Sequence, residues 1–547
     1  MERWVWMGVV LLGSACTIDG DDGDAVDTDA MTSSGADGSG TPSTTANPSG
    51  GGGGGGGDDT GTTPTTGADG TSGADESSGE PYVPEPIGTI DEFLTPHDTE
   101  TADVMGPDAH GAMYGYRPQI IVDADGPALN VFAQDYGAPD VSRAVVLRLE
   151  STGDDWVLTQ AHAPPMLDRV MGLAHEGDAL YLASGIVEDL HQPITVEYPA
   201  AGEYRPGVVR VVQTDWGESV GFDVDLDPAR AAASDNPEQL INPMVASTAR
   251  IAVGGGRLAL VHGINTDPDD NDVRHQKALT THLDATTGDV LRTSSIWVSH
   301  SFDQRVLHDG TGFIEAHLGD AYPRTMAFAR VEPDSGTVPL MHIKGPTGAN
   351  NTYARLGGVA LLDDPTFGYV ASFVTERTPG TDPLAGFGRV AGGRDVAVVR
   401  VRRDFETSGN DALDHLDPAL PDTFTVDSAG TSFTNRVRWI TNYGDDAASA
   451  AERLKLVALG NGTVVLLWER WDRQDGFTFA GTWGAVLAAD GTVAVEPTMV
   501  ASTHLPGGDD AVGLGDHATW VTGVAASADL VVHQVDATLS YRQFVVE

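Results

Sequence analysis

The chain has 547 residues, 80 of them acidic and 31 basic, for a net charge of −49. Such a field repels phosphate backbones and anionic headgroups, so nucleic-acid binding is excluded as a working function; solubility in a crowded exterior, or capture of divalent cations, suits the charge better. A single cysteine means that no disulfide can staple the fold, so any exported domain must rest on a large apolar core.

Residues 1–15 combine Arg3, an apolar run from Trp4 to Leu12, and Gly13-Ser14-Ala15, the parts of a secretory signal peptide. The run is too short to span a bilayer. With Cys16, the end of this segment resembles the lipobox of bacterial lipoproteins, although Gly13 stands where that family usually has Leu. The resemblance implies cleavage before Cys16 and lipidation (palmitate included) of its sulfur. With Thr17 rather than Asp next, it also implies residence at the outer membrane, facing either the surface or the periplasm. More than one acyl chain makes such attachment stable.

Residues 17–80 hold 13 acidic groups and no Lys, Arg or aromatic residue, and they include the glycine run Gly50–Gly57, with the heptaglycine Gly51–Gly57 inside it. Nothing in them offsets the entropy of ordering, so 16–80 is expected to be a lipidated cysteine followed by a disordered acidic linker. As a coil it would span about 40–50 Å. Its Ser/Thr clusters are potential O-glycan acceptors.

From residue 81 onward, short β-branched and apolar runs alternate with Gly, Asp, Asn and Pro turns, an all-β texture. Short helices are expected only near Pro228–Ala233 and Asp446–Leu454. Seven hairpins can be drawn in chain order. Ile120–Val122 runs into Ala128–Ala133, Val170–Ala174 into Ala179–Ala183, Ile251–Val253 into Leu258–His262, and Arg305–Leu307 into Gly312–Ala316. Gly358–Leu362 then runs into Tyr369–Val374, Leu454–Leu459 into Val464–Trp468, and Ala511–Leu514 into Thr519–Val524. Second hairpins follow in most units, for example Ala144–Leu149 with Trp156–Leu158. Two hairpins make a four-stranded sheet, and a ring of such sheets resembles a β-propeller. Residues 81–547 are therefore expected to form seven four-stranded blades. A strand near 82–100 would complete the last blade, and 185–206, 263–275 and 407–450 would be loop insertions.

Candidate chemistry is sparse. The densest polar patch runs from Ser299 to Arg324 and offers His300, Gln304, His308, His317, Asp320, Tyr322 and Arg324 as ligand-binding candidates. If His308 and His317 lie on neighbouring strands, they could converge on a ligand or a metal. Asp267, Asp269 and Asn271 begin like a calcium loop, but Asp272 and Ala278 stand where an EF-hand needs Gly and Glu. Asp223, Asp225 and Asp227 alternate along an apparent strand and share a face. Gly254-Gly255-Gly256 suits a hairpin turn better than a phosphate loop. No Gly-x-Ser-x-Gly, Walker A or penicillin-binding-type Ser-x-x-Lys set is present. No cofactor is identified beyond the calcium candidate.

These features favour a monomeric, surface-displayed lipoprotein, held to the membrane by its lipid, whose propeller binds a glycan, protein or other surface ligand rather than performing catalysis. The alternatives are an exported hydrolase or lyase acting on polysaccharide or peptide, and a purely structural envelope protein.

Overall fold

In the computed structural model, the described residues are 83–96, 120–135, 143–164, 169–187, 207–226, 249–265, 276–296, 304–319, 325–332, 340–344, 355–377, 393–405, 412–428, 431–444, 449–473, 477–507 and 509–547. The signal peptide, Cys16, the acidic linker, Pro228–Ala233, His300, Asp320, Tyr322, Arg324, Asp267, Asp269, Asn271 and Asp227 lie outside them.

Among the described residues, 29 strands form seven antiparallel sheets, taken up in chain order. Blade 1 is β1 (Ile120–Asp125), β2 (Ala128–Asp135), β3 (Arg143–Ser151) and β4 (Trp156–His162). Blade 2 is β5 (Arg169–Glu176), β6 (Ala179–Val187), β7 (Gly207–Asp215) and β8 (Val220–Asp225). Blade 3 is β9 (Arg250–Gly254), β10 (Arg257–Asn265), β11 (Gln276–Asp284) and β12 (Val290–Ile296). Blade 4 is β13 (Gln304–His308), β14 (Phe313–Gly319), β15 (Thr325–Val331) and β16 (Leu340–Lys344). Blade 5 contains β17 (Arg355–Leu361), β18 (Tyr369–Glu376), β19 (Arg394–Val401), β20 (Asp422–Ser428) and β21 (Thr431–Trp439). Blade 6 is β22 (Ser449–Ala458), β23 (Val464–Arg473), β24 (Phe477–Leu487) and β25 (Val493–Ala501). Blade 7 is β26 (Val512–Leu514), β27 (His517–Gly523), β28 (Leu530–Asp536) and β29 (Tyr541–Val546).

The first strand of each blade touches the first strand of the next, through β1, β5, β9, β13, β17, β22 and β26, and β26 returns to β1. That cycle defines a seven-bladed β-propeller with these strands around the axis. The seven hairpins expected from sequence are the two inner strands of the seven blades. They are the most apolar because both of their faces are covered by neighbouring blades: every residue of β2 is buried, whereas the outermost β25 alternates between exposed and half-buried positions.

The apolar core is divided among the seams between blades. Ile121, Phe132 and Val146 meet Val170, Leu180 and Leu182 between blades 1 and 2. Leu454, Leu466 and Trp468 meet Val370, Val396 and Val398 between blades 5 and 6. The seam between blades 3 and 4 differs. Among the described residues its buried apolar cluster is Ala252, Ala259 and Phe313, with Thr280, His282, Glu315 and His317 buried in the same two blades.

Three expectations need correction. Blade 7 takes all four of its strands from the C-terminus, and residues 90–92 form a 3-10 turn rather than a closing strand. The turn clasps the joint instead. The Ile90 N–H donates to Glu547 O at 3.0 Å and the Ile87 N–H to Leu158 O at 3.0 Å, while Ile90 and Leu94 pack with residues of both blade 1 and blade 7. The stretch 407–450 contains a hairpin, not only loop. It adds β20 as a fifth strand to blade 5, whose order is β17-β18-β19-β21-β20. Residues 449–454, expected to be helical, begin β22, where burial on both sides outweighs the helix propensity of Ala and Glu.

Candidate functional site

Of the three described members of the patch, two come together and His308 stands apart. Gln304 pairs directly with His317 across β13 and β14, but His308 pairs with Phe313 at the other end of the hairpin. Four residues of extended chain separate Gln304 from His308, about 13 Å. The His308 ring meets Phe313 edge-on, with centroids 5.0 Å apart, and lies over the blade 3 turn, where a Cβ on Gly254 would come within 2.2 Å of Nδ1. Gln304 and His317 are fully buried. His317 lies 3.7 Å from the Glu315 carboxylate, whose other oxygen accepts a 2.8 Å bond from the Thr280 hydroxyl. Burial pushes Glu315 up to about 8, against the effect of Thr280. Among the described residues, no group of three or more His, Cys, Asp and Glu side chains converges on a point where a metal could sit. Asp223 and Asp225 do share a face of β8, and both pair with Arg210 across the sheet, at 3.4 and 2.7 Å. Gly254–Gly256 is a hairpin turn between β9 and β10, with φ of +61° at Gly255 and +74° at Gly256, values that an L side chain resists.

A different set of charges converges. Asp509 and Asp510 precede β26, the innermost strand of blade 7. The Asp509 carboxylate accepts the Val122 N–H of β1 at 2.9 Å and lies 3.7 Å from Arg250 of β9. Its carbonyl oxygen accepts from the Lys455 ammonium of β22. The Asp510 carboxylate pairs with Arg305 of β13 at 2.6 Å and stands 3.7 Å from Arg250. Arg305 also donates to Leu356 O of β17 at 3.2 Å. These partners belong to the innermost strands of blades 1, 3, 4, 5 and 6. Groups from so many sides of a ring can meet only on its axis, and most lie near the starts of their strands, toward one end of the propeller.

Local sequence sets this geometry. In β22 a bulge puts Arg453 and Leu454 opposite the single residue Trp468, with Arg453 at φ +49°, so two basic side chains of one strand reach different targets. Lys455 goes to the axis, while Arg453 goes to Glu469 at 3.3 Å and to Leu505 O at 2.9 Å. The buried Glu469 carboxylate also accepts from His504 Nδ1 at 3.1 Å, the Leu505 N–H at 2.9 Å and Trp471 Nε1 at 2.9 Å. Phe479 stacks on His504 with centroids 3.8 Å apart. Residues 504–505 are thereby bolted to blade 6, four residues before Asp509.

The two carboxyls are not equivalent. The Asp509 side chain is 7% exposed and that of Asp510 27%. Burial raises the proton affinity of Asp509, only partly opposed by Arg250 and Lys455. Burial acts on Asp510 in the same sense, but Arg305, Arg250 and Lys455 prevail and hold it below the usual carboxylate range. Burial also lowers the Lys455 ammonium. Arg250, Arg305 and Lys455 thus meet Asp509 and Asp510 in one cluster.

The opposite face carries a repeated turn that sequence reading missed. Asp284-x-Thr286, Asp309-x-Thr311, Asp364-x-Thr366, Asn461-x-Thr463, Asp490-x-Thr492 and Asp536-x-Thr538 each join two strands of a blade. In each, the first side chain accepts the threonine N–H at 2.7 to 3.0 Å. All six join first to second or third to fourth strands, so they lie at the end of the propeller away from the axial cluster. The signal was present as Asp/Asn-x-Thr, a short motif at irregular intervals.

No protein-family model and no curated protein sequence matches the chain. Solved structures that resemble it do so at low identity. The β-propeller domain of the Trilobed protease from Pyrococcus furiosus is 9% identical over 78% of this chain and 95% of its own, with a TM-score of 0.34. A puromycin-hydrolyzing peptidase of Mycobacterium tuberculosis is 11% identical over 82% of this chain and 56% of its own, with a TM-score of 0.38. Trypanosoma rangeli sialidase is 12% identical over 67% of this chain and 54% of its own, with a TM-score of 0.34. The chain thus spans little more than half the length of the last two.

Proposed function

We propose that the chain is a lipoprotein, cut and lipidated at Cys16 and held at the outer membrane, whose seven-bladed propeller is a rigid binding module taking its ligand at the axial cluster. The observation that carries this reading is the convergence of Arg250, Arg305, Lys455, Asp509 and Asp510 from blades 3, 4, 6 and 7 on the axis. A few polar groups fixed on rigid strands within an apolar scaffold favour recognition, because little entropy remains to be lost on binding. The ligand contacts belong to this site rather than to the His308 end of the blade 4 hairpin.

Two measurements on the full chain test the reading. Cys16→Ser should release the protein from membranes or leave its precursor uncut; unchanged retention would overturn the anchor. A glycan and peptide array should show binding by the native protein that Arg305→Lys reduces at least tenfold; binding indifferent to that change would move the site elsewhere.

A hydrolase is the second reading, and one feature favours it: adjacent carboxyls whose surroundings push their proton affinities apart, Asp509 up and Asp510 down, suit an acid and a base. Turnover of a polysaccharide or peptide panel, abolished by both Asp509→Asn and Asp510→Asn, would establish it. The absence of turnover alongside retained binding would leave the binding module.

A further inference from the structure

We propose that Asn461 is a modification site, an amide that the blade 6 turn converts to aspartate with release of ammonia. It is the only asparagine of the chain that glycine follows, and a glycine carries no side chain to screen its nitrogen. In the reaction the Gly462 nitrogen bonds to Asn461 Cγ, and the bond from Cγ to the side-chain nitrogen breaks. That nitrogen leaves as ammonia, with the proton that Gly462 gave up. Water, the only co-reactant, then opens the cyclic imide. Cleavage between Cγ and the Gly462 nitrogen leaves aspartate in a normal backbone. Cleavage at the Asn461 backbone carbonyl leaves isoaspartate, with the chain rerouted through the side chain.

The turn that holds Asn461 suits a carboxylate better than an amide. Asn461 is exposed, and its Oδ1 accepts the Thr463 N–H at 3.0 Å and the Thr463 hydroxyl at 2.6 Å. The turn between β24 and β25 is its twin, with aspartate in place of the amide. Asp490 accepts the Thr492 N–H at 2.9 Å and the Thr492 hydroxyl at 2.6 Å. The Gly462 N–H donates to Leu459 O at 2.9 Å and the Gly491 N–H to Ala488 O at 2.8 Å, with φ of +81° and +79° at the two glycines. The bonds from Thr492 hold Asp490 below the usual carboxylate range. Burial works against Asp309, yet bonds from Thr311, Tyr369 and Gly312 hold it low as well. For Asn461 this matters twice. A charged acceptor strengthens both threonine bonds, so the product fits better than the amide. Aspartate once formed is also trapped, because a carboxyl re-forms the imide from its protonated form and this turn keeps it ionised. Isoaspartate has an extra carbon in the backbone, cannot keep both bonds and cycles back through the imide, so the folded chain drains toward aspartate. Asn461 lies at the end of the propeller away from the axial cluster, so none of this rests on where a ligand binds.

Peptide mapping of the full chain, held folded at pH 8 in heavy-oxygen water, tests the proposal. Asn461 should become an acid that carries the label, with aspartate in excess of isoaspartate, while Asp309 and Asp490 stay unisomerised. The chain unfolded in guanidinium should convert about tenfold faster, since no turn hydrogen bond has to open first, and should give isoaspartate in excess. Thr463→Val, shown by a thermal melt to be folded, should shift the folded product toward isoaspartate. Asn461→Gln should stay unmodified at that position. Conversion in the folded chain more than about a hundredfold slower than in the unfolded one exceeds the cost of one turn bond and would overturn the proposal. Isoaspartate in excess in the folded chain, or a folded Thr463→Val chain with the native product ratio, would overturn the role given to the turn.

Discussion

Replacing Glu315 by Gln should remove a pH dependence that the buried carboxyl imposes on the whole propeller. Glu315 is fully buried in the seam between blades 3 and 4, and burial raises its proton affinity from an ordinary 4.5 to about 8. Its folded value lies above its unfolded one, so the folded state holds the extra proton between those limits. Stability therefore falls as pH rises from about 4.5 and levels off above about 8. At 1.36 kcal/mol per unit, the full loss is about 5 kcal/mol. Gln has the same shape, keeps an acceptor for the Thr280 hydroxyl and never ionises. Urea unfolding of the native and Glu315→Gln chains at pH 5, 6, 7 and 8 gives the comparison. The net charge of −49 adds its own slope to both proteins, so the readout is their difference, which should widen in favour of the variant as pH rises. Parallel curves would refute a neutral buried Glu315. A native protein that gains on the variant with rising pH would instead mean an ionised Glu315 paired with His317, 3.7 Å away.

Other expectations follow the same logic. His175 bonds Asp123 at 2.6 Å across blades 1 and 2, and that bond, outweighing burial, raises its proton affinity; its contribution is complete below about 6.5 and fades as pH rises through the folded value, so His175→Gln should lose stability at pH 5.5 but little at pH 9. Glu469→Ala strips a buried carboxylate from Arg453, Trp471, His504 and Leu505, which should cost about 3–5 kcal/mol and speed hydrogen exchange at residues 504–511. Ile90→Ala removes a fully buried side chain from the joint between blades 1 and 7 and should cost about 2–5 kcal/mol, with exchange rising first in β1 and β26.

The blades were legible because burial leaves a signature. Inner strands such as Ala128–Ala133 and Val464–Trp468 are apolar on both faces, and turn residues mark where they reverse, so their order alone implies a ring. The outer strands alternate and are interrupted by insertions, which is why β20 and β21 were taken for loop. The clasp at Ile90 was misread because its two apolar anchors, Ile90 and Leu94, occur at a spacing that fits strand or turn. The axial cluster was harder, since its members are scattered from Arg250 to Asp510 and only closure of the ring joins them. One clue existed: Arg305 and Lys455 interrupt apolar inner strands, where a charge is costly without a partner. The His308 and His317 pairing failed on register, which sequence cannot supply for a short hairpin of this kind.

The clasp has a mechanical consequence. Six of the seven joints between blades are crossed by the covalent chain; among the described residues, the joint between blades 7 and 1 is held by packing, by the bond from Val122 to Asp509 and by the few bonds that 83–96 makes there. Any pull arriving from the N-terminal side is felt first at Ile87 and Ile90, which hold the edges of blades 1 and 7 together. Load and closure therefore share one element: force large enough to peel it away would open the ring at its one unlinked joint and disturb Val122 and Asp509, which meet across that same boundary.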